Sequence, residues 1–552
     1  MGRSTALAAL ASLERTGRRY GPGLGARKLA LLATLARASL PRAVQLRRLH
    51  ELLLFLDAYP DDDRVRARAR AMLRGFRRRA DLRRHRTSLA GSGIAGTDTP
   101  YRFFWPSARW ISLTWPGALR IDRSDPEQAQ AILDALPQLL EPAQSEFLRR
   151  VSKPSLAVLD RLRSASLTDA DWFIGLVAAM PGDDAAREAF FDRIDPPFVL
   201  VAGAMTPERT TARFDTAGAV HPQCTPPRGP RPDLRREARR PPRRVRTLGR
   251  DGAEQLIRIA RGSMATRERD LAAFQFANPR DAFVVEDDEG LAFGFVGMLP
   301  ERRLLLPAVY GGLTLQNGVP IGYVQLDLLG RHCELSFNQF ETFRDGGAAR
   351  AFARLVATVR HVFGCDSFSI EPYQLGEGND EGIDSGAWWF YYRLGFRPRA
   401  AAAQRLVRRE ADRAAADDRY RSSPQRLRAL SRWHLFFSLD PGRPARLPRV
   451  ADLYAAATRE LTQFSGRKSA DRATAASASA GAWLGASKLS RGAGSTLRSW
   501  APLVLALSRR RRWSRAERRQ FVALIAAKAG ASEREYLHRL ARHRRLRAIL
   551  DC

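Results

Sequence analysis

The stretch "HCELSFNQFETFRDGGAARAFARLVATVRHVF" (332–363) decides the fold. Its first part reads as a strand, with Glu334, Ser336 and Asn338 on one face and Leu335, Phe337 and Gln339 on the other. The chain then breaks at Arg344-Asp-Gly-Gly347-Ala-Ala349, and a helix runs from about Gly347 to Phe363. A strand that becomes a helix through glycines leaves free backbone N–H groups at the helix start. Glycine lets the backbone approach a ligand closely, and donors and dipole together make an anion site.

Upstream, "AFVVEDDEGLAFGFVGMLP" (282–300) is apolar, then acidic, then apolar, as a hairpin is. "GGLTLQNGVPIGYVQLDLL" (311–329) repeats the pattern around Asn317-Gly318, the strongest short-range hairpin signal. Downstream come a further strand, "SFSIEPYQL" (367–375), and a helix holding "GAWWFYYRLGF" (386–396). The expected fold class is α/β of the α+β kind: a mixed, mainly antiparallel sheet flanked by helices, with helical N- and C-terminal extensions.

This order resembles the GNAT-type, acyl-CoA-dependent N-acetyltransferases over residues about 283–399 of the 552. Arg344 to Ala349 looks like the family's Arg/Gln-x-x-Gly-x-Gly/Ala loop. The resemblance implies that Arg344, Gly346, Gly347, Ala348 and Ala349 hold the pyrophosphate of acetyl-CoA or another acyl-CoA. "WWFYYRLGF" looks like the family's Phe-Tyr-x-x-x-Gly-Phe ending, on Phe390, Tyr391, Gly395 and Phe396. That match makes Tyr391 the acid that protonates the leaving thiolate, a role a phenol suits. The implied activity is N-acyl transfer to an amine by direct attack within a ternary complex. Two positions depart from the pattern: Asp384 stands where the family often has Asn, and Ala349 replaces the second loop glycine. An amine acceptor also needs a general base. Glu334 is the first candidate, with Glu371 next; Glu341 has the other parity unless a bulge intervenes, as one does in this family's central strand.

The remaining residues divide into a basic helical region (1–95), an α+β domain (97–220), a Pro/Arg-rich linker (221–250), the acyltransferase-like domain (251–400) and a helical C-terminal region (401–552) with a flexible stretch at 466–483. The hydrophobic fraction of 45% is ample for folding. The net charge of +34 is carried almost wholly by arginine, and with the abundant alanine it is partly what a GC-rich genome writes. Arginine blocks at 64–86, 228–250 and 509–519 nevertheless define a second reading: a catalytically inactive fold that binds nucleic acid or an anionic membrane surface. In a third, the terminal helices recruit a protein carrying the acceptor amine.

Cys224, Cys333, Cys365 and Cys552 show neither zinc nor disulfide spacing, which fits a reduced, cytoplasmic, bacterial-type setting. No apolar run has the length of a membrane span, and the N-terminus reads as an amphipathic helix rather than a signal peptide. Asp61-Asp62-Asp63 reads as a helix N-cap cluster rather than a metal site. His332 beside Cys333 has no further support as a nucleophilic pair.

Overall fold

The computed structural model describes residues 3–551 apart from 217–219, 227–230, 345–346, 418, 464–468, 487 and 511. The N-terminal helices are α1 (Arg3–Thr16), α2 (Leu24–Arg37), α3 (Ala43–Ala58) and α4 (Asp63–Gly75). Their leucine stripes meet in one core with Val319, Ile321, Phe340 and Phe343, so this bundle is built onto the large sheet. Asp62 caps α4 by accepting from Val65 N at 2.8 Å, and Asp61 pairs with buried Lys28 at 2.7 Å. Part of the arginine strip at 64–86 serves this packing. Arg66 lies 3.3 Å from the fully buried Asp57 and donates to Asn317 O at 3.0 Å.

Residues 97–220 hold a small antiparallel sheet of β1 (Thr99–Tyr101), β2 (Leu119–Ile121) and β3 (Phe198–Leu200), in the order β1-β3-β2, around a separate core. "YRFFWPSARWISLTW" (101–115), rich in aromatic and β-branched residues as a strand would be, is mostly helix from Trp105 to Thr114. Pro106 near the helix start already has the φ that a first turn needs.

Among the described residues the large sheet has nine strands: β4 (Arg244–Thr247), β5 (Ala277–Glu286), β6 (Leu291–Met298), β7 (Ala308–Gln316), β8 (Val319–Leu329), β9 (His332–Gln339), β10 (Ser367–Ile370), β11 (Arg397–Pro398) and β12 (Leu435–Ser438). Their order is β11-β12-β10-β9-β8-β7-β6-β5-β4. Every pairing is antiparallel except β9 with β10. Asn317 and Gly318 both adopt positive φ, 49° and 80°, and close the two-residue turn from β7 to β8. One face of the sheet buries α6 (Ala348–Phe363), with α5 (Arg250–Ala265) on the other.

Three expected boundaries change. The Pro/Arg-rich stretch 221–250 contains a helical turn at Leu234–Glu237 and the edge strand β4. Arg354 of α6, 2% exposed, fastens it by donating to the carbonyls of Glu237, Arg240 and Pro241 and pairing with Asp287 at 2.7 Å. The sheet domain continues past residue 400, because β12 returns to lie between β10 and β11. Two helices, α9 (Ala401–Ala416) and α10 (Pro424–Ser431), fill the excursion after α7 (Asp380–Asp384) and α8 (Ala387–Arg393). Finally, the stretch expected to be flexible at 466–483, of which 466–468 lie outside the described residues, carries α11 (Ser469–Leu484). Alanine is the best helix former, and Ala476, Ala480 and Leu484 are buried in a common core with Ala493 and Leu497. The C-terminal helices are joined to the sheet by polar contacts as well: Tyr536 donates to Leu306 O at 2.7 Å and Lys528 to Pro307 O at 2.9 Å. Among the described residues no helix is long and apolar enough to cross a membrane.

Candidate functional site

β9 pairs with β8 along its whole length, from Gly322↔Gln339 to Leu329↔His332, without a register shift. It pairs with β10 only at His332, Cys333 and Glu334. β10 ends at Ile370 because Glu371 begins the turn into Pro372, which has no N–H to give to a ladder. The second half of β9, 335–339, therefore parts from its parallel neighbour. A cleft opens at the C-terminal ends of two parallel strands, the usual place for ligands in such sheets.

A pocket of about 170 Å³ occupies the cleft, lined among others by Phe337, Gln339, Arg344, Ala348, Glu381 and Tyr391. Tyr391 comes from α8 and is 2% exposed. Its hydroxyl donates to Phe337 O at 3.4 Å, and burial pushes its pKa up. The ring meets Phe352 edge-on at 5.4 Å and packs beside Phe390 and Phe396. Tyr391 thus forms a wall of the cleft, but its phenol is covered rather than freely presented. Tyr392, its sequence neighbour, stacks on Trp388 at 5.1 Å.

α6 begins at Ala348, after Gly347 at φ 82°, ψ 35°. Only glycine takes this left-handed position without strain, and it brings no side chain to cap the free amides of the first turn. Ala348 lines the pocket, and Ala349 packs against the core as a partly buried residue. Gly346 lies outside the described residues. Two side-chain oxygens beside this turn, Asn338 Oδ1 and Gln339 Oε1, are buried with no hydrogen-bond partner among the described residues. The Gln339 amide is oriented by its N–H, which donates to Phe343 O at 2.7 Å.

Arg344 donates to Gln339 O at 3.3 Å and ion-pairs with Glu381. Glu381 also receives Arg269 at 2.6 Å. Burial would raise the Glu381 carboxyl, but the two guanidinium groups outweigh it and hold it below the ordinary range. Sequence reasoning missed Glu381, Arg269 and the two amides. Glu381 sits in the acidic stretch after β10 and Arg269 just beyond α5, with no motif linking them.

Glu334 does not join this pocket. It lies where β9 and β10 still pair, accepting from Ser369 Oγ at 2.9 Å and standing 3.3 Å from His434 Nε2. Burial would raise its carboxyl, yet these contacts hold it low, which makes it a weak base. Asp327 is its cross-strand partner. Glu371, on the same polar face of the sheet, shifts the other way. Burial raises its carboxyl first, and the charges of Glu334 and Asp327 add to that. His332 is buried between Ser367 Oγ at 2.9 Å and Ser369 Oγ at 3.0 Å. The Cys333 thiol is buried on the opposite face and its pKa is pushed up, so no thiolate nucleophile is present there.

Comparison with protein-family models, with curated proteins and with solved structures found no match to this chain.

Proposed function

We propose that the chain is a GNAT-like N-acyltransferase that moves an acyl group from an acyl-CoA to an amine. The observation that carries this reading is the parting of β9 from β10 over 335–339 beside a glycine-started helix. The unpaired edge of β9 offers main-chain groups to the amides of an extended cosubstrate arm, as strand addition does. The uncapped first turn of α6 offers N–H groups and dipole to a diphosphate. Arg344, ion-paired with Glu381, lines the same pocket and brings its guanidinium N–H groups there.

In this mechanism the amine attacks the thioester carbonyl, and the C–S bond breaks as the thiolate leaves. Tyr391 supplies the proton to sulfur. Burial weakens the phenol as an acid, but it raises the basicity of a thiolate formed in the same pocket as well. The proton lost by the amine passes along water to Glu371, which like Glu334 lies outside the lining of the pocket but carries the raised carboxyl that suits a base. Glu334 becomes the fixed negative neighbour that keeps Glu371 basic. The uninterrupted β8–β9 register departs from the family, whose central strand carries a bulge.

Calorimetric titration of acetyl-CoA into the full-length protein tests the reading. Saturable binding, abolished in Gly347→Glu and retained in Tyr391→Phe, is the expected result. No binding to the folded wild type would overturn it. The covered phenol favours a second reading, a fold that binds anions without catalysis. That reading requires binding to nucleic acid or anionic vesicles that falls linearly in log K with log salt concentration, with no acyl transfer to any amine.

A further inference from the structure

Across Asn338, Arg344 and Glu381 from the cleft lies a second cavity, of about 210 Å³, which shares those residues as a wall. Its other walls come from distant parts of the chain. Arg47 is on α3, Arg209 lies in the segment after β3, and Arg267 and Arg269 follow α5. The cavity therefore exists only where the N-terminal bundle, the 97–220 unit and the large sheet meet.

The carboxylates around it are already engaged, with one exception. Glu381 is shared by Arg269 and Arg344. Glu51 pairs with Arg209 at 2.6 Å. Glu341, 80% exposed, stands 3.7 Å from Arg47. Glu268 is exposed and makes no ion pair among the described residues.

Arg267 also has no ion pair among the described residues. Its guanidinium lies over the Phe340 ring at 3.7 Å and donates to Ser263 O at 3.0 Å. Its Nε is buried with no hydrogen-bond partner among the described residues, and so is the Nε of Arg209, a residue 9% exposed. Burial, together with the charge of Arg209, pulls the Arg267 pKa down. A buried cation is unfavourable unless an anion and hydrogen bonds meet it. The planar forks of arginine fit carboxylate and phosphate oxygens in pairs.

We infer that this cavity receives an oxyanion, a carboxylate or phosphate, carried by the amine acceptor. The inference rests on the acyltransfer reading and adds the substrate class: an amine that also bears an anionic group. Acceptor and donor would then meet at the Arg344–Glu381 partition, with the acceptor's anion anchored on the far side from the thioester. A neutral amine without that group would lack the anchor.

The experiment titrates inorganic phosphate, and separately acetate, into the full-length protein at constant ionic strength, with and without saturating CoA. The thermal midpoint and calorimetric heats are read, and CoA binding is measured on the same samples. Saturable phosphate or acetate binding that persists with CoA bound is the expected result. Arg267→Gln should weaken it by roughly tenfold or more, the scale of a lost charge-assisted hydrogen bond. Since that substitution risks misfolding, Glu268→Gln provides the opposite sign: removal of an exposed negative charge should tighten binding a few-fold. Displacement of phosphate by CoA would overturn the acceptor role and give the anion site to the donor. Absence of anion binding, or indifference to both substitutions, with CoA binding intact would overturn the pocket's assignment alone. Anion binding with no CoA binding would overturn the acyltransfer reading, and the acceptor role with it.

Discussion

The Tyr391 hydroxyl donates to the main-chain carbonyl of Phe337 at 3.4 Å, on the part of β9 that has lost its parallel neighbour. The bond is long for an O–H donor. It stands in for the strand pairing that β10 no longer supplies, and it holds the phenol against the edge a cosubstrate would use.

Tyr391→Phe should therefore change stability little, by no more than about 1 kcal/mol, because a weak hydrogen bond is lost and the ring remains. Turnover should fall by roughly 10²–10⁴, the range for a lost general acid, with KM changing much less. Thermal unfolding and steady-state kinetics on one preparation check both halves. An equal rise in KM with unchanged kcat would assign Tyr391 to binding instead.

Gly347→Ala places a Cβ at φ 82°. The left-handed conformation should lower stability by about 1–2 kcal/mol. Acetyl-CoA affinity should drop as the first turn of α6 shifts to relieve the strain. Urea denaturation and calorimetry separate the two effects.

Arg354→Met removes the guanidinium that holds the 234–247 segment. It leaves the Asp287 carboxylate, 1% exposed, without its partner. Breaking a buried pair in this way costs about 3–5 kcal/mol, and urea denaturation should show it. Limited proteolysis should then cut near residues 238–243, which the wild type protects.

His332 sets a pH dependence. Burial depresses its pKa to about 4, against the smaller opposing effect of Glu334. A histidine with a depressed folded pKa contributes stability that is fully present above its unfolded pKa, about 6.5. That contribution is lost as pH falls toward about 4 and amounts to no more than about 3 kcal/mol. His332→Gln should flatten the stability profile between pH 6.5 and 4, as followed by urea midpoints.

Much of the sheet was legible in local sequence. Asn317-Gly318 fixed one hairpin because only a positive-φ pair makes that turn, and the alternation through Glu334, Ser336 and Asn338 survives in the observed faces. Gly347 marked the start of α6. The return of β12 between β10 and β11 was not legible, since two helices separate it from β11 and no local pattern encodes non-adjacent pairing. The 221–250 stretch misled because its arginines and prolines look solvated, while Arg354, over a hundred residues away, satisfies its carbonyls. Within the site, Arg344, Ala348 and Tyr391 line one pocket. Glu334 did not, because parity gives its face but not how far along β9 the strands separate. Glu381 and Arg267 act through partners distant in sequence, so neither pattern nor composition pointed to them.

Hydrogen–deuterium exchange of the full-length protein, with and without acetyl-CoA, most directly tests the cleft as a cosubstrate site. Acetyl-CoA should slow exchange in peptides covering 335–339 and the first turn after Gly347, with β5 and β6 unchanged. Unaltered exchange in both peptides at saturating acetyl-CoA would contradict it.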